Sequence, residues 1–518
     1  MPEDTAALPL FERAELQRER RAIVAPEGTF TYGDLLDASA RVAKTLLGDR
    51  ADLGEERVAF LAPPGFHHVA VQWGIWRAGG VAVPLAMSHP PPELEYVVRD
   101  AQAETVIGAP EAAAVLRPVA AAARLRYLPT SQVLAPPRLS PAGARLSKLM
   151  GAPVPAPGDG LPAVAASRRA MIVYTSGTTG RPKGVVTTHA NLAAQITSLV
   201  EAWEWSERDR VLLVLPLHHV HGIVNVLSCA LWSGATCEVL PAFDAGRAWD
   251  AIAAGHLTLF MAVPAIYGRL LAAWDAADEA RRRAMSEGCR KMRLMVSGSS
   301  ALPAPTFARW QDVSGHALLE RYGMTEFGMA LANPLHGERR PGRVGMPLPG
   351  VEVRLVGDGG RPAAAGEPGE IEVRGPGVFL EYWRKPDATR AAFRDGWFRT
   401  GDTARIEDGY WRILGRTSSD IIKTGGFKVS ALEIEDVLRT HPAVADCAVV
   451  GVPHGDWGEK VCAAAELVPG ALLGLEELRE WAKDRLAPYK IPRDLQCIPS
   501  LPRNAMGKVI KKDVAKLF

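Results

Sequence analysis

The sequence predicts an α/β fold: a large N-terminal domain of layered α/β subdomains plus a β subdomain over residues 1–416, then a small α+β C-terminal domain over 417–518. Three observations carry this. Short apolar runs alternate with helical segments along most of the chain, which favours α/β layers. From 341 the texture turns to shorter β runs punctuated by Gly and Pro. Past Arg416 about a hundred residues have a strand–helix alternation of their own, enough for a separate small domain.

The apolar runs are RVAFLAP at 57–63, MIVYTSG at 171–177, RVLLVLP at 210–216 and MRLMVSG at 292–298. Each ends in small residues or Pro, the habit of a buried strand that feeds a loop at its carboxyl end. GFHHVAVQWGIWRAG at 65–79 reads as a packing helix, with Trp73 and Trp76 in the core. The Pro- and Ala-rich stretch 131–165 reads as an exposed connection. Val211 to Cys237 holds no formal charge, but Pro216, His218, His219, His221 and Asn225 interrupt it. Imidazoles and amides are costly in lipid, so a buried strand, a polar loop and a buried helix are expected, with no membrane insertion. The N-terminus alternates acids and bases and lacks the apolar stretch of a secretory signal.

Sixty basic and fifty-eight acidic residues leave a formal charge of +2, which speaks against nucleic-acid binding through bulk charge. A hydrophobic share of 47 % is ordinary for a globular enzyme. Six cysteines show no C-x-x-C pair and read as buried thiols of a reducing compartment, the cytoplasm.

The strongest local signal is Tyr174-Thr175-Ser176-Gly177-Thr178-Thr179-Gly180-Arg181-Pro182-Lys183-Gly184, three glycines, four aliphatic hydroxyls and a lysine directly after a buried strand. Small residues let backbone N–H groups converge on an anion, hydroxyls add donors, and Lys supplies mobile charge. It is not a Walker A loop, since Pro182 precedes the lysine and Gly184 follows it. Downstream come Ser297-Gly298-Ser299-Ser300-Ala301, Glu320-Arg321-Tyr322-Gly323-Met324-Thr325-Glu326, and Thr400-Gly401-Asp402, where a lone carboxylate is expected in a β turn suited to a ribose diol.

In this order the motifs resemble those of the adenylate-forming superfamily of acyl-CoA synthetases, firefly luciferases and nonribosomal adenylation domains, along nearly the whole chain. YTSGTTGRPKG, ERYGMTE, TGD, ILGR, IKTGGFKVS with ALEIE, and PRNAMGK carry the resemblance. PLHHVHG, FMAVPAIY, MVSGSSALP and ERYGMTEFGMAL are similar to the malonyl-CoA synthetases within it. The resemblance implies an acid–thiol ligase that uses ATP, Mg²⁺ and coenzyme A in two half-reactions: an acid attacks the ATP α-phosphate, then a thiol displaces AMP. It implies that Thr175, Ser176, Gly177, Thr178, Thr179 and Lys183 hold the β- and γ-phosphates. Thr325 would touch the α-phosphate and Glu326 would ligate Mg²⁺. Ser299, Ser300 and Ala301 would line the adenine pocket, Tyr322 would stack on the base, and Asp402 and Arg416 would bind the ribose. Lys508 would bridge carboxylate and phosphate in the adenylation transition state, and is the residue on which relatives carry reversible acylation. The C-terminal domain would be mobile, bringing Gly425, Gly426 and Phe427 to the pantetheine arm. The hinge falls on Ser418 counted from Arg416, or on Ser419 counted back from the glycines.

Arg321 bears on the acid. Many relatives have Gly before the Tyr of this motif, whereas an Arg would face a second carboxylate with full charge. The alternative is a structural Arg paired with an acid elsewhere. His219 and His221, in Pro216-Leu217-His218-His219-Val220-His221-Gly222, favour a polar acyl pocket. Leu227, Met261, Val263 and Met329 could line an apolar tunnel but read more simply as core. The expected activity is malonyl-CoA formation from malonate, with methylmalonate also accepted. The alternatives are a synthetase for another short or aromatic acid, and a stand-alone adenylation enzyme that loads an acyl-carrier protein.

Overall fold

The computed structural model describes residues 9–135, 160–175, 181–503 and 509–518. Most of the expected connection 131–165 therefore lies outside the described residues, as do Ser176, Gly177, Thr178, Thr179 and Lys508. The chain divides into two compact units. The first comprises Met1–Arg339, Pro347–Glu352 and Arg374–Phe393. The second comprises Arg340–Met346, Val353–Val373 and Arg394–Phe518.

The first unit is built on two sheets. In one, six strands run parallel in the spatial order Leu319–Met324, Leu294–Ser297, Leu259–Ala262, Arg210–Leu213, Thr236–Val239 and Arg21–Ala25. Antiparallel strands Gly328–Ala332 and Gly28–Thr31 flank them. In the other, Arg126–Pro129, Thr105–Gly108, Arg57–Leu61, Val81–Pro84 and Arg169–Thr175 run parallel. Lys183–Thr188 then turns back antiparallel, followed by Glu381–Tyr382. Val81–Pro84, Leu259–Ala262 and Leu294–Ser297 are buried at every position, as parallel strands covered on both faces must be. The four apolar runs thus form strands as expected.

The helix Phe66–Arg77 is buried at every position from His68 to Trp76, with Trp73 and Trp76 among its buried residues. Trp76 Nε1 donates to the Ala170 carbonyl at 2.8 Å. Gly74 permits contact with the helix Tyr32–Leu47, since a Cβ there would lie 2.4 Å from Val42 Cβ. That second helix starts on a capping box, Thr31 with Asp34. The uncharged stretch 211–237 resolves into a strand, a polar loop, and a buried π-helical segment His221–Ser228 running into Cys229–Trp232. Among the described residues no helix is long and apolar enough to cross a membrane.

Five cysteines are buried free thiols, while Cys497, expected to be buried, is exposed at the end of the edge strand Asp494–Cys497. Leu227, Met261 and Met329 are buried.

Two core histidines make stability pH-dependent. His68 Nδ1 sits 3.0 Å from the Ala62 carbonyl, and burial pulls its pKa down to about 4. His189 packs edge-on to Trp76, and burial, then Arg168, lowers it to about 3. In the unfolded chain both protonate near 6.5. Their contribution is therefore complete above pH 6.5 and is lost as pH falls toward 4 and 3. The melting temperature is expected to drop between pH 7 and pH 5, and His189→Phe, which keeps a ring against Trp76, should flatten the drop. Calorimetry across that range checks it, and an equal slope in the variant would refute the His189 assignment.

The second unit carries a β layer and an α+β layer. Trp397–Glu407 pairs antiparallel with both Gly369–Arg374 and Tyr410–Arg416. Ile421–Thr424, Phe427–Ser430, Val444–His454, Gly458–Leu467 and Asp494–Cys497 form a sheet, with helices at Ala431–Leu438, Leu475–Ala482 and Lys511–Ala515. Its core includes Ile422, Ile434, Val449 and Leu478.

Candidate functional site

The glycine- and threonine-rich motif joins two antiparallel strands, with Thr175 opposite Lys183. Both strand ends are pinned. Tyr174 Oη donates to Asp100 Oδ2 at 2.7 Å, and Tyr96 Oη donates to the Pro182 carbonyl at 2.7 Å. Burial, then the Asp100 hydrogen bond, holds the Tyr174 phenol protonated and donating. Lys183 therefore leaves from a defined place, opposite Thr175.

Thr325 and Glu326 sit in the tight turn between Leu319–Met324 and Gly328–Ala332. Glu326 is buried and its Oε1 accepts from Tyr382 Oη at 2.8 Å. The ammonium of Lys183 lies 4.8 Å from the centre of the same Tyr382 ring. Tyr382 thus joins the lysine of one motif to the carboxylate of the other, and it is also paired to the Lys183–Thr188 strand opposite Val185. The group sets a cation, a carboxylate and a hydroxyl side by side, a set suited to polyphosphate and a hard cation.

A third cluster forms where three parallel strands end. Arg321, buried at 4 % exposure, lies with its guanidinium against Gly298. A Cβ on Gly298 would be 2.5 Å from Arg321 Cζ, so only glycine leaves room. Ser299 holds a left-handed φ of 71°, which turns its hydroxyl to within 3.1 Å of His221 Nδ1. Burial, then the Arg321 charge and His219, holds the His221 pKa well below its usual value, so the ring is neutral. Its companions behave alike, His218 pulled down to about 3 by burial first and His219 to about 4 by burial and then His89. Burial lowers the Arg321 guanidinium to about 9, which leaves it charged near neutrality. Arg321 Nε and Nη2 and His221 Nε2 are buried with no hydrogen-bond partner among the described residues. Ser300 and Ala301 are exposed beside Ser299, and Tyr322 is half-buried one residue beyond Arg321.

In the second unit Asp402 and Arg416 are opposite one another in an antiparallel pair, with Arg416 Nε 3.0 Å from Asp402 Oδ1. Arg416 Nη1 also donates to the Thr400 carbonyl at 2.8 Å. Asp402 therefore lies inside the strand Trp397–Glu407 and not in a β turn as expected. Gly401, at φ 70°, bends that strand without ending it. Gly425 and Gly426, at φ 56° and 83°, make a two-residue hairpin turn. Phe427 follows, half exposed at 50 % and stacked on Tyr489 at 4.1 Å. Ser418 and Ser419 lie in the turn between Tyr410–Arg416 and Ile421–Thr424. Asp420 ties that turn down, accepting from the Arg416 amide and pairing with Lys511 at 3.2 Å.

Residues 10–383 match the model of the AMP-binding enzymes, and residues 433–508 match the C-terminal domain of the same enzymes. The chain belongs to the AMP-binding enzyme family. The mitochondrial malonate–CoA ligase of Xenopus laevis is 46 % identical to it over 99 % of this chain and 92 % of that protein. The mitochondrial malonate–CoA ligase of Bos taurus is 45 % identical over 98 % of this chain and 90 % of its own length. Among solved structures, ATP-bound MatB from Rhodopseudomonas palustris superposes with a TM-score of 0.85 at 34 % identity, covering 99 % of both chains. The names of the first two place those relatives in mitochondria, not in the cytoplasm expected here from the thiols.

In and beside these clusters lie residues that sequence reading passed over. Tyr382 is one: it lies 56 positions past Glu326, and no local pattern marks it. Gly298 is another, readable only once Arg321 is seen against it. Asn225 had a visible signal as the lone amide in an apolar run, four residues after His221. It is fully buried on the π-helical segment with both amide atoms lacking a partner among the described residues.

Proposed function

We propose that this AMP-binding enzyme is an ATP-dependent malonate–CoA ligase that also takes methylmalonate. It converts malonate, ATP and CoA into malonyl-CoA, AMP and pyrophosphate through malonyl-adenylate. The observation that carries the choice of acid is Arg321, a buried cation with two nitrogens unpaired among the described residues. Leaving such a charge without a counter-ion is expensive, and a bound anion relieves the cost. A monocarboxylate spends its one charge at the reacting end. A dicarboxylate has a second to give to Arg321, with neutral His221 beside it as a hydrogen-bond partner that adds no competing charge.

In the first half-reaction one malonate carboxylate attacks the ATP α-phosphate in line, and pyrophosphate leaves with its oxygen. Thr175, Ser176, Gly177, Thr178, Thr179 and Lys183 hold the leaving phosphates, and Thr325 donates to the α-phosphate. Ser299, Ser300, Ala301 and Tyr322 receive the adenine, while Asp402 and Arg416 take the ribose hydroxyls. Lys508 places a charge between carboxylate and phosphate, where it counts in the transition state more than in the ground state. The residues fit a divalent cation, since Glu326 offers a hard carboxylate oxygen whose orientation is fixed by Tyr382 Oη. Mg²⁺ held by Glu326 would neutralise phosphate charge. In the second half-reaction the CoA thiol, guided past Gly425, Gly426 and Phe427, attacks the acyl carbon and AMP departs. The buried free thiols support a reducing compartment.

The test is pyrophosphate release with ATP and Mg²⁺ across malonate, methylmalonate, acetate, succinate and octanoate, with and without CoA. Malonate should lead, methylmalonate should follow, and thioester should form only with CoA. A lead for acetate or octanoate would overturn the dicarboxylate reading and leave an acid–CoA ligase of other specificity.

A further inference from the structure

The glycine- and threonine-rich motif is gripped by one helix that lies outside every motif above. Pro91–Asp100 buries Leu94, Val97 and Val98 in a core that also holds Ile172 and Val186, one from each strand flanking the motif. Tyr96 and Asp100, one helical turn apart, share a face of it. Asp100 takes hold at two places. Its carboxylate accepts from Tyr174 Oη at 2.7 Å, next to Thr175, and lies 3.6 Å from the Lys385 ammonium. Its carbonyl accepts from Trp383 Nε1 at 3.0 Å, next to Tyr382. Tyr96 Oη reaches the other end of the motif, donating to the Pro182 carbonyl at 2.7 Å, next to Lys183. The Arg181 guanidinium lies 5.6 Å from the centre of the Tyr96 ring. Two residues on one helix face thus set the places of Thr175, Lys183 and Tyr382, each through the residue beside it.

We propose that Tyr96 and Asp100 are positioning residues for the triphosphate of ATP, fixing the spacing at which its β- and γ-phosphates are held. The inference rests on the reading above that Thr175 and Lys183 hold those phosphates. Neither Tyr96 nor Asp100 needs to touch the nucleotide. A lysine and a set of hydroxyls bind a polyphosphate tightly when their spacing is set before the ligand arrives, because ordering them at the moment of binding costs affinity. The effect is selective. AMP has no β- or γ-phosphate, so its affinity is independent of this helix face, whereas that of ATP depends on it.

The experiment is calorimetric titration with ATP and Mg²⁺, and separately with AMP, without acid or CoA. It compares wild type, Tyr96→Phe, Asp100→Leu, Asp100→Leu/Tyr174→Phe and Lys183→Met. Tyr96→Phe should weaken ATP binding about fivefold, the loss of one hydrogen bond. Asp100→Leu should weaken it about tenfold or more, since the Tyr174 and Lys385 contacts go together. AMP should bind both variants as it binds wild type. The double variant separates placement from stability. Replacing both partners of a hydrogen bond by apolar groups is nearly neutral for the fold, so the melting temperature lost in Asp100→Leu should return while ATP binding stays weak. An equal loss of ATP and AMP affinity overturns the proposal, as does ATP affinity that returns with the melting temperature. If Asp100→Leu does not fold, unchanged ATP affinity in Tyr96→Phe overturns it instead. Lys183→Met tests the reading beneath. If it weakens ATP while Tyr96→Phe and Asp100→Leu do not, the positioning role alone falls. If it weakens neither nucleotide, the phosphate-holding reading falls and the positioning role falls with it.

Discussion

Arg321→Met is expected to lower kcat/KM for malonate by about 10³- to 10⁴-fold, while acetate, poor to begin with, changes little. Steric loss is small, because methionine keeps the length and apolar stem of the arginine. What disappears is a charge-assisted, fork-shaped contact to the distal carboxylate, which a hydrophobic side chain replaces with an unpaired buried anion. The empty protein should respond in the opposite direction. With no partner among the described residues, the guanidinium costs the unliganded fold, and burial already holds it down near 9. Removing it should raise the melting temperature of the free enzyme, since a buried charge replaced by an apolar side chain of similar size is neutral or stabilising by about 1–4 kcal/mol. Saturating malonate should stabilise wild type and not the variant. Calorimetry of both proteins, with and without malonate, reads this alongside initial rates. A variant that melts lower and keeps its malonate preference would make Arg321 scaffold.

Glu326→Gln is expected to slow adenylation about 10²- to 10³-fold. Glutamine preserves an acceptor for Tyr382 Oη, which lies 2.8 Å from Glu326 Oε1, so the turn should keep its shape and only the charge is lost. Tyr382→Phe is the contrasting change: it keeps the charge and the ring beneath Lys183 but releases the carboxylate from its hydrogen bond. It should cost about tenfold. Pyrophosphate–ATP exchange measured against Mg²⁺ concentration separates the two. Glu326→Gln should need far more Mg²⁺, whereas Tyr382→Phe should lose rate at nearly the wild-type requirement. Equal Mg²⁺ dependence in wild type and Glu326→Gln would rule out the carboxylate as the metal ligand.

Much of this arrangement was legible in the chain because its residues come in short contiguous motifs. Tyr174 to Gly184 and Ser297 to Ala301 each begin at the end of a strand whose apolar run stops abruptly, and Arg321 to Glu326 runs from a strand into a tight turn, places where a parallel sheet exposes its carboxyl ends. Register was not legible. Whether Asp402 sits in a turn or in a strand depends on which residue it faces, and its partner Arg416 lies 14 positions away across a hairpin. Tyr382 and Gly298 escaped for a related reason, since each acts through a contact that becomes visible only when distant strands are laid side by side. Cys497 was misread because a thiol on an edge strand carries no sequence mark that separates it from a buried one.

The glycine beneath Arg321 binds two positions into one heritable unit. Any side chain at 298 would occupy the seat of the guanidinium, and any loss of the arginine would leave that seat vacant. Lineages that drift away from a charged acid can therefore reach an apolar pocket by changing 321 first and then filling 298, whereas the reverse order passes through a displaced buried cation. Substrate range along this edge of the sheet can thus evolve readily in one direction and with difficulty in the other, while the glycine- and threonine-rich motif on the other sheet stays as it is.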